Sequence, residues 1–171
     1  MYDAELNVCL EGLRRGDLAA FERLYNEMIT PVYTILLRIT ADRLLAEDLL
    51  QEFFVRLYQM PPAAVKKPRA YLLQSARNLA VDGLRKREEH APEEAVHTAE
   101  HPLERHMERM DLEAAMDRLD LMERQVVTLH LNGGLKFREV AQVVGLPLGT
   151  VYSRYRKAIE KLRFLLDGGL L

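Results

Sequence analysis

Donor side chains suited to DNA recognition follow a sharp turn near the end of the chain. Val140, Ala141 and Val144 recur at helical spacing, and Gly145 stands where the chain must reverse direction. The helix that follows carries Thr150, Tyr152, Ser153, Arg154, Arg156 and Lys157. Such a helix reads base edges in the major groove while neighbouring cations hold phosphates. Segment 137–156 therefore predicts a helix-turn-helix, although a helical hairpin with a solvated basic face would show the same pattern.

The net charge of −2 hides an alternation of acidic and basic blocks. Residues 1–62 carry a net −4 and residues 63–87 a net +6. Residues 88–125 carry a net −8 and residues 126–166 a net +5. A basic block can neutralise phosphates even when the whole chain is acidic, so both basic blocks are candidate nucleic-acid faces.

Residue types that support catalysis or metal binding do not form a recognisable site. There is no Gly-rich phosphate loop, no nucleophile elbow and no catalytic pair of carboxylates. His97, His101 and His106 have spacings that could place two on one helical face, but linker-like composition and Pro102 argue against a metal site. We expect no enzyme activity, no cofactor, no metal and no small-molecule substrate.

The expected compartment is the cytoplasm. The single cysteine, Cys9, excludes an intramolecular disulfide and is typical of a buried apolar group in a reducing environment. The first residues lack the apolar core of a secretory signal, and no apolar run reaches the roughly 18 residues of a membrane span.

Apolar periodicity predicts the helices that must position these residues. Asp17 and Asp42 are candidate N-caps of apolar helical segments, and Pro31 fits either the first turn of a new segment or a kink. The sequence Met60-Pro61-Pro62 ends a helix before a loop that carries two lysines. A further helix then runs to the end of the first basic block.

The second half repeats the helical pattern after an acidic, proline-containing stretch. Periodicity resumes around Leu103, and Gly133-Gly134 marks a helix end. The last two helices are expected over 137–144 and about 148–166. The chain is thus predicted to be all-α, with two small helical domains (1–87 and 107–171) joined by an acidic linker (88–106).

Four segments, in this order, resemble the extracytoplasmic-function (ECF) sigma factors of bacterial RNA polymerase. AEDLLQEFFVRLY (46–58) resembles the family's polymerase-binding helix, and AYLLQSARNLAVDGLRKR (70–87) resembles its promoter-melting helix. LDLMERQVVTLHLNGGLKF and the following REVAQVVGLPLGTVYSRYRKAIEKLRFLL resemble its final promoter-binding region. The resemblance implies a sigma factor that binds core polymerase, recognises −35 and −10 promoter elements and promotes DNA melting.

The resemblance assigns polymerase binding to one helix and −10 binding to the next. Polymerase-binding residues would be Asp48, Gln51, Glu52 and Phe53. Residues of the −10 face would be Lys66, Lys67, Arg69, Tyr71, Arg77, Asn78, Arg85, Lys86 and Arg87. The family often has Trp where this chain has Tyr71, so this ring either stacks on a base or belongs to the core. Asp82, within the same helix, is expected to close an internal salt bridge instead.

The −35 residues implied by the resemblance lie on the helix-turn-helix. They are Lys136, Arg138, Thr150, Tyr152, Ser153, Arg154, Arg156 and Lys157. Tyr152 stands where the family often has Lys, which removes one expected cation from this face. Thr150 could also cap or steady the second helix near its start.

Partners follow from the same resemblance: core RNA polymerase, promoter DNA and an anti-sigma protein. The acidic linker fits either a solvated spacer or a segment lying in the polymerase channel for RNA. Acidic residues 88–125 are also expected to shield the basic faces, so that the free protein binds DNA poorly. Two other functions stay open: a stand-alone helix-turn-helix regulator and a helical adaptor without a DNA role. The first would not need 46–58 and 70–87, and the two basic blocks argue against the second.

Overall fold

The computed structural model describes residues 2–90 and 111–168, and these residues form eight α-helices. The first four are α1 (Asp3–Arg14), α2 (Leu18–Thr40), α3 (Arg43–Gln59) and α4 (Pro68–His90). The second four are α5 (Leu112–Asp117), α6 (Leu121–Leu131), α7 (Phe137–Val144) and α8 (Leu148–Leu166). The predicted all-α architecture of two helical domains is confirmed. No helix in the described ranges is long and apolar enough to span a membrane.

The first domain is built around α2, which contacts α1, α3 and α4. The predicted caps are confirmed, because the Asp17 carboxylate accepts hydrogen bonds from two backbone N–H groups and Asp42 accepts one from Leu45 N–H at 3.0 Å. Pro31 lies inside one continuous helix, so no new segment begins there. The sequence analysis did not predict α1. Cys9, which lies on this helix, is buried in the core as predicted.

The second domain is held by caps and by one left-handed turn. Asp120 and Glu123 form a capping box at the start of α6. This cap separates α5 from α6, although the apolar periodicity of the sequence continues through both helices. Gly145 closes α7 with φ 71°, and α7 and α8 end and begin where the sequence predicts. The periodicity expected around Leu103 lies outside the described residues.

The two domains pack against each other. Helix α6 contacts α2, and α7 contacts α4, so one apolar core continues from the first domain into the second. Gly133 permits the closest approach, because a Cβ at this position would lie 2.8 Å from Leu73 Cδ1 and 2.5 Å from the Leu129 carbonyl oxygen. Helix α4 extends to His90, so the first residues of the expected linker are helical.

This shared core gives a stability prediction that compares two leucines on α6. Leu129 is fully buried, whereas Leu131 is 56% exposed. Leu129→Ala should lower the free energy of unfolding by about 2–5 kcal/mol, because it removes apolar contacts and leaves a cavity. Leu131→Ala should change it by less than about 0.5 kcal/mol. Urea denaturation followed by circular dichroism measures both, and equal losses would contradict the described packing.

Candidate DNA and polymerase interfaces

The helix-turn-helix is aligned by an aromatic cluster on its inner side. The His130 ring stacks on Phe137 with 4.1 Å between ring centroids, and Phe137 meets Tyr152 and Tyr155 edge to face. His130 Nδ1 lies 2.8 Å from the Leu135 carbonyl oxygen, which fixes the ring where α6 leads into α7. These contacts set the rotation of α8 and therefore which of its side chains face outward.

Most of the predicted −35 residues are exposed on the second domain. Exposed side chains there belong to Lys136, Arg138, Thr150, Tyr152, Ser153, Arg156 and Lys157. Arg156 forms an exposed i,i+4 ion pair with Glu160 at 3.8 Å, and such a pair contributes little, so DNA could replace that partner at little cost.

For two predicted −35 residues, Thr150 and Arg154, the structure differs from what the sequence predicted. Thr150 does not cap α8, because the N-cap is Pro147 and Thr150 lies within the helix. Arg154 is half-buried, and its Nη1 donates to Asp120 Oδ2 at 3.4 Å. That contact ties α8 to the capping box of α6, so Arg154 must leave a protein partner before it can read a base.

The predicted polymerase-binding residues divide between the surface and the core. Asp48 and Gln51 are exposed on α3, and Glu52 is half-buried in an ion pair with Arg56 one turn later. Phe53 is only 5% exposed and packs edge to face against Phe54. The Phe53 side chain therefore supports the helix, and only the three polar residues present donors and acceptors to a partner.

The loop before α4 is pinned by a side chain that sequence reasoning missed. Asn7 Nδ2 donates to the Val65 carbonyl at 2.8 Å, and the Val65 N–H donates to Asn7 Oδ1 at 3.2 Å. Lys66 follows directly and is exposed, as predicted. Tyr71 is 43% exposed beside Met60, in the wall of a cleft between α3 and α4, so it is not a core residue.

The far end of α4 carries exposed cations. Arg85, Lys86 and Arg87 are all exposed, and Arg87 forms an ion pair with Asp42 at the start of α3. The Leu45 N–H bond lowers the pKa of Asp42, burial opposes this, and the Arg87 charge lowers it further, with a net decrease. Asp82 pairs with Arg85 at 3.8 Å, the internal salt bridge that the sequence predicted.

Three predicted −10 residues contact the second domain. Lys67 Nζ lies 3.1 Å from Glu139 Oε1, and Arg77 Nε donates to Gln125 Oε1 at 2.7 Å. Arg69 Nη1 donates to the carbonyl of Gly133 at 3.3 Å. The sequence gives no signal for these pairings, because each joins residues at least 48 positions apart. They must be broken before these side chains can bind DNA.

Electrostatics favours the Lys67–Glu139 pair. The hydrogen bond from Lys67 to Glu139 raises the pKa of the lysine. Partial burial alone would raise the pKa of Glu139, but hydrogen bonds from Lys136 N–H and Lys67 outweigh it and lower that pKa. Glu139 lies outside the acidic block that was expected to shield the basic faces, and residues 91–110 of that block lie outside the described residues.

Two family models match the chain, each on one domain. Sigma-70 region 2 matches residues 24–90, and Sigma-70, region 4 matches residues 109–162. The ECF RNA polymerase sigma factor SigK of Mycobacterium ulcerans is 30% identical over 95% of this chain and 94% of its own length. The chain belongs to the ECF family of RNA polymerase sigma factors. It is therefore a transcription initiation factor, and its partners are core RNA polymerase and promoter DNA.

Further ECF comparisons agree in length and fold. The ECF RNA polymerase sigma factor RpoE of Cereibacter sphaeroides is 29% identical over 86% of both chains. The sigma factor RpoE of Bartonella quintana, solved in complex with the anti-sigma factor NepR, shares the fold with a TM-score of 0.67 at 21% identity. That match covers 86% of this chain and 96% of the other. A stand-alone regulator is not favoured, because region 2 accounts for the first domain.

Alanine substitutions at two glycines of the helix-turn-helix should change the free energy of unfolding in opposite directions. A Cβ at Gly145 or Gly149 would meet no atom within 4 Å, but only Gly145 has a positive φ. Gly145→Ala should lower the free energy of unfolding by about 1–2 kcal/mol because of backbone strain. Gly149→Ala, within α8, should raise it by up to about 1 kcal/mol through lower entropy of the unfolded chain. Thermal unfolding measures both, and changes of the same sign would contradict the turn geometry.

Proposed function

We propose that this sigma factor binds core polymerase through the exposed polar face of α3, the −10 element through α4 and its preceding loop, and the −35 element through α8. The observation that carries the proposal is the exposed basic face of α8 in a helix-turn-helix, on the same chain as a region 2 domain. Cations on such a face hold phosphates, and Ser153 and Tyr152 can donate to base edges.

The chemistry at each surface is binding, and we propose that the chain has no catalytic activity of its own. Extruding a −10 base from the stack costs a few kcal/mol, which contacts to phosphates and an aromatic face must offset. Lys66 and Tyr71 are both exposed and fit these two roles. Because bacterial core polymerase and promoter DNA are in the cytoplasm, we propose that the protein acts there.

An anti-sigma protein is a further proposed partner. The structural relative from Bartonella quintana was solved with one. We propose that such a protein covers the α3 face of this chain, where Asp48 and Gln51 are exposed. Covering these residues would block the polymerase without contact to DNA-binding residues.

The polymerase assignment is tested by a triple substitution on α3. Asp48→Ala/Gln51→Ala/Glu52→Ala should abolish co-elution with bacterial core RNA polymerase in gel filtration, because it removes the polar face of the helix. The matched control is Glu22→Ala/Arg23→Ala/Asn26→Ala, three exposed residues on α2. The control should co-elute like the wild type. Failure of the folded wild-type protein to co-elute would contradict the assignment of function itself.

The −35 assignment is tested by the salt dependence of duplex binding. Each phosphate contact contributes about 0.9 to the slope of log K against log salt concentration. Arg156→Ala/Lys157→Ala should lower that slope by about 1.8, measured by fluorescence anisotropy with a labelled mixed-sequence duplex. Arg14→Ala/Arg15→Ala removes the same charge at the C-terminal end of α1 and should leave the slope unchanged. A slope that is equal in both variants would show that α8 does not hold the phosphates.

A further inference from the structure

The loop of residues 60–67, which joins α3 to α4, has few local means of holding one conformation. Met60-Pro61-Pro62 ends α3, and the two prolines have no backbone N–H to donate. Ala63 and Ala64 follow, are exposed and carry no polar side-chain atom. A fixed position of this loop must therefore come from contacts with another part of the chain.

One side chain on α1 supplies that contact. The Asn7 amide donates to the Val65 carbonyl at 2.8 Å and accepts from the Val65 N–H at 3.2 Å. Among the described residues, residues 61–66 make no other hydrogen bond than these two. A carboxamide carries a donor and an acceptor on separate atoms, so one asparagine satisfies both backbone groups of Val65 at once.

Helix α1 is a firm support for this contact. Its inner face lies in the core through four side chains that are at most 4% exposed: Leu6, Cys9, Leu10 and Leu13. Asn7 follows Leu6 directly, so its backbone cannot shift without disturbing close-packed side chains. The loop is thus attached to a part of the first domain that holds its own position.

The other contact between α1 and the loop is weaker. Lys67 Nζ lies 3.7 Å from the Asp3 carboxylate and 3.1 Å from that of Glu139, and 49% of the lysine side chain is exposed. Exposed ion pairs contribute little, and a long lysine side chain does not fix the backbone that carries it. The path of the loop backbone therefore depends on Asn7.

The pinned segment borders the surface that the proposed function assigns to the −10 element. Lys66 follows Val65 directly and is exposed. Pro62, from the same loop, lines the cleft between α3 and α4 together with Met60 and Tyr71. A shift of the loop would change the wall of this cleft and the place of the Lys66 charge together.

We propose that Asn7 is a positioning residue for −10 recognition, which holds the loop before α4 in the conformation in which it meets a base. The inference rests on the proposed assignment of α4 and its preceding loop to the −10 element. It extends that function to α1, which lies outside the region 2 match at residues 24–90. Asn7 itself touches no DNA in this account. A loop that is held in advance is not ordered at the expense of binding, so its contacts with a preferred base keep their full value.

Substitution of Asn7 tests the inference in the holoenzyme with core polymerase. The probe is a pool of duplexes that carry a randomised unpaired segment, and sequencing of the bound fraction gives the relative affinity for the four bases at each position. Asn7→Ala removes both bonds and should reduce the ratio between the preferred and the poorest base about fivefold. Asn7→Asp keeps the acceptor for the Val65 N–H and loses the donor, so it should reduce the ratio less. The matched control Asn26→Ala removes an exposed asparagine from α2 and should leave the ratio unchanged.

Exchange of the Val65 amide hydrogen, followed by NMR in the free protein, shows whether the loop has been released. It should be several-fold faster in Asn7→Ala than in the wild type or in Asn26→Ala, because the N–H loses its acceptor. Thermal unfolding shows which variants are folded at the assay temperature. If Asn7→Ala is not, Asn7→Asp carries the same comparison.

The ratio between bases separates positioning from a merely structural role. A structural role would lower the affinity for all four bases by one factor and leave their ratio unchanged, which would overturn the inference. An unchanged exchange rate at Val65 would also overturn it, because the loop would then not depend on Asn7. If the wild-type holoenzyme favours no base in the unpaired segment, the −10 assignment fails and the inference fails with it. If the wild type and Asn7→Ala select the same base equally well, the −10 assignment stands and only the role of Asn7 is wrong.

Discussion

Arg38 carries a positive charge into the junction between the two domains, and the position of the second domain depends on how that charge is satisfied. Its side chain is 9% exposed. One guanidinium nitrogen donates to Asn132 Oδ1 at 2.6 Å and another to Glu113 Oε1 at 3.0 Å, while the Arg38 carbonyl accepts from Arg124. A buried charge without partners costs several kcal/mol, so α5 and α6 are fixed in register on α2.

A charged and polar junction of this kind gives specificity more than stability. Its bonds can be exchanged for bonds to water when the domains part, whereas a purely apolar junction would lose its contacts outright. The apolar part, centred on Leu129 and Leu73, supplies the attraction. Apolar and polar contacts thus act together to hold the second domain at one position on the first.

Local features of the fold could be predicted from the sequence because they depend on neighbouring residues. The caps at Asp17 and Asp42, the turn at Gly145 and the bounds of the last two helices follow from hydrogen-bonding and backbone rules that act over a few positions. The exposed basic residues of α8 could be predicted for the same reason. At Pro31 the local pattern allowed either the start of a new helical segment or a kink. The structure has one continuous α2, which packs on α1, α3 and α4.

The remaining features depend on contacts between distant residues, which no local pattern encodes. Nothing in the sequence marks Gln125 as the acceptor for Arg77, or Asn7 as the residue that pins the loop at Val65. Phe53 shows the converse case, because its place in a family motif predicted a partner contact while its packing against Phe54 buries it. Charge blocks locate the basic faces, but only the fold tells which of their members are already paired.

The central claim is that the two domains pack against each other, with α6 on α2 and α7 on α4. The most direct measurement is the distance between spin labels at Arg15→Cys and Arg163→Cys in a Cys9→Ala background, by pulsed electron paramagnetic resonance. Both label sites are exposed, and neither is assigned to a partner. The account predicts one narrow distance distribution below about 40 Å, because the two domains share one core. A broad distribution that extends well beyond this distance would contradict it.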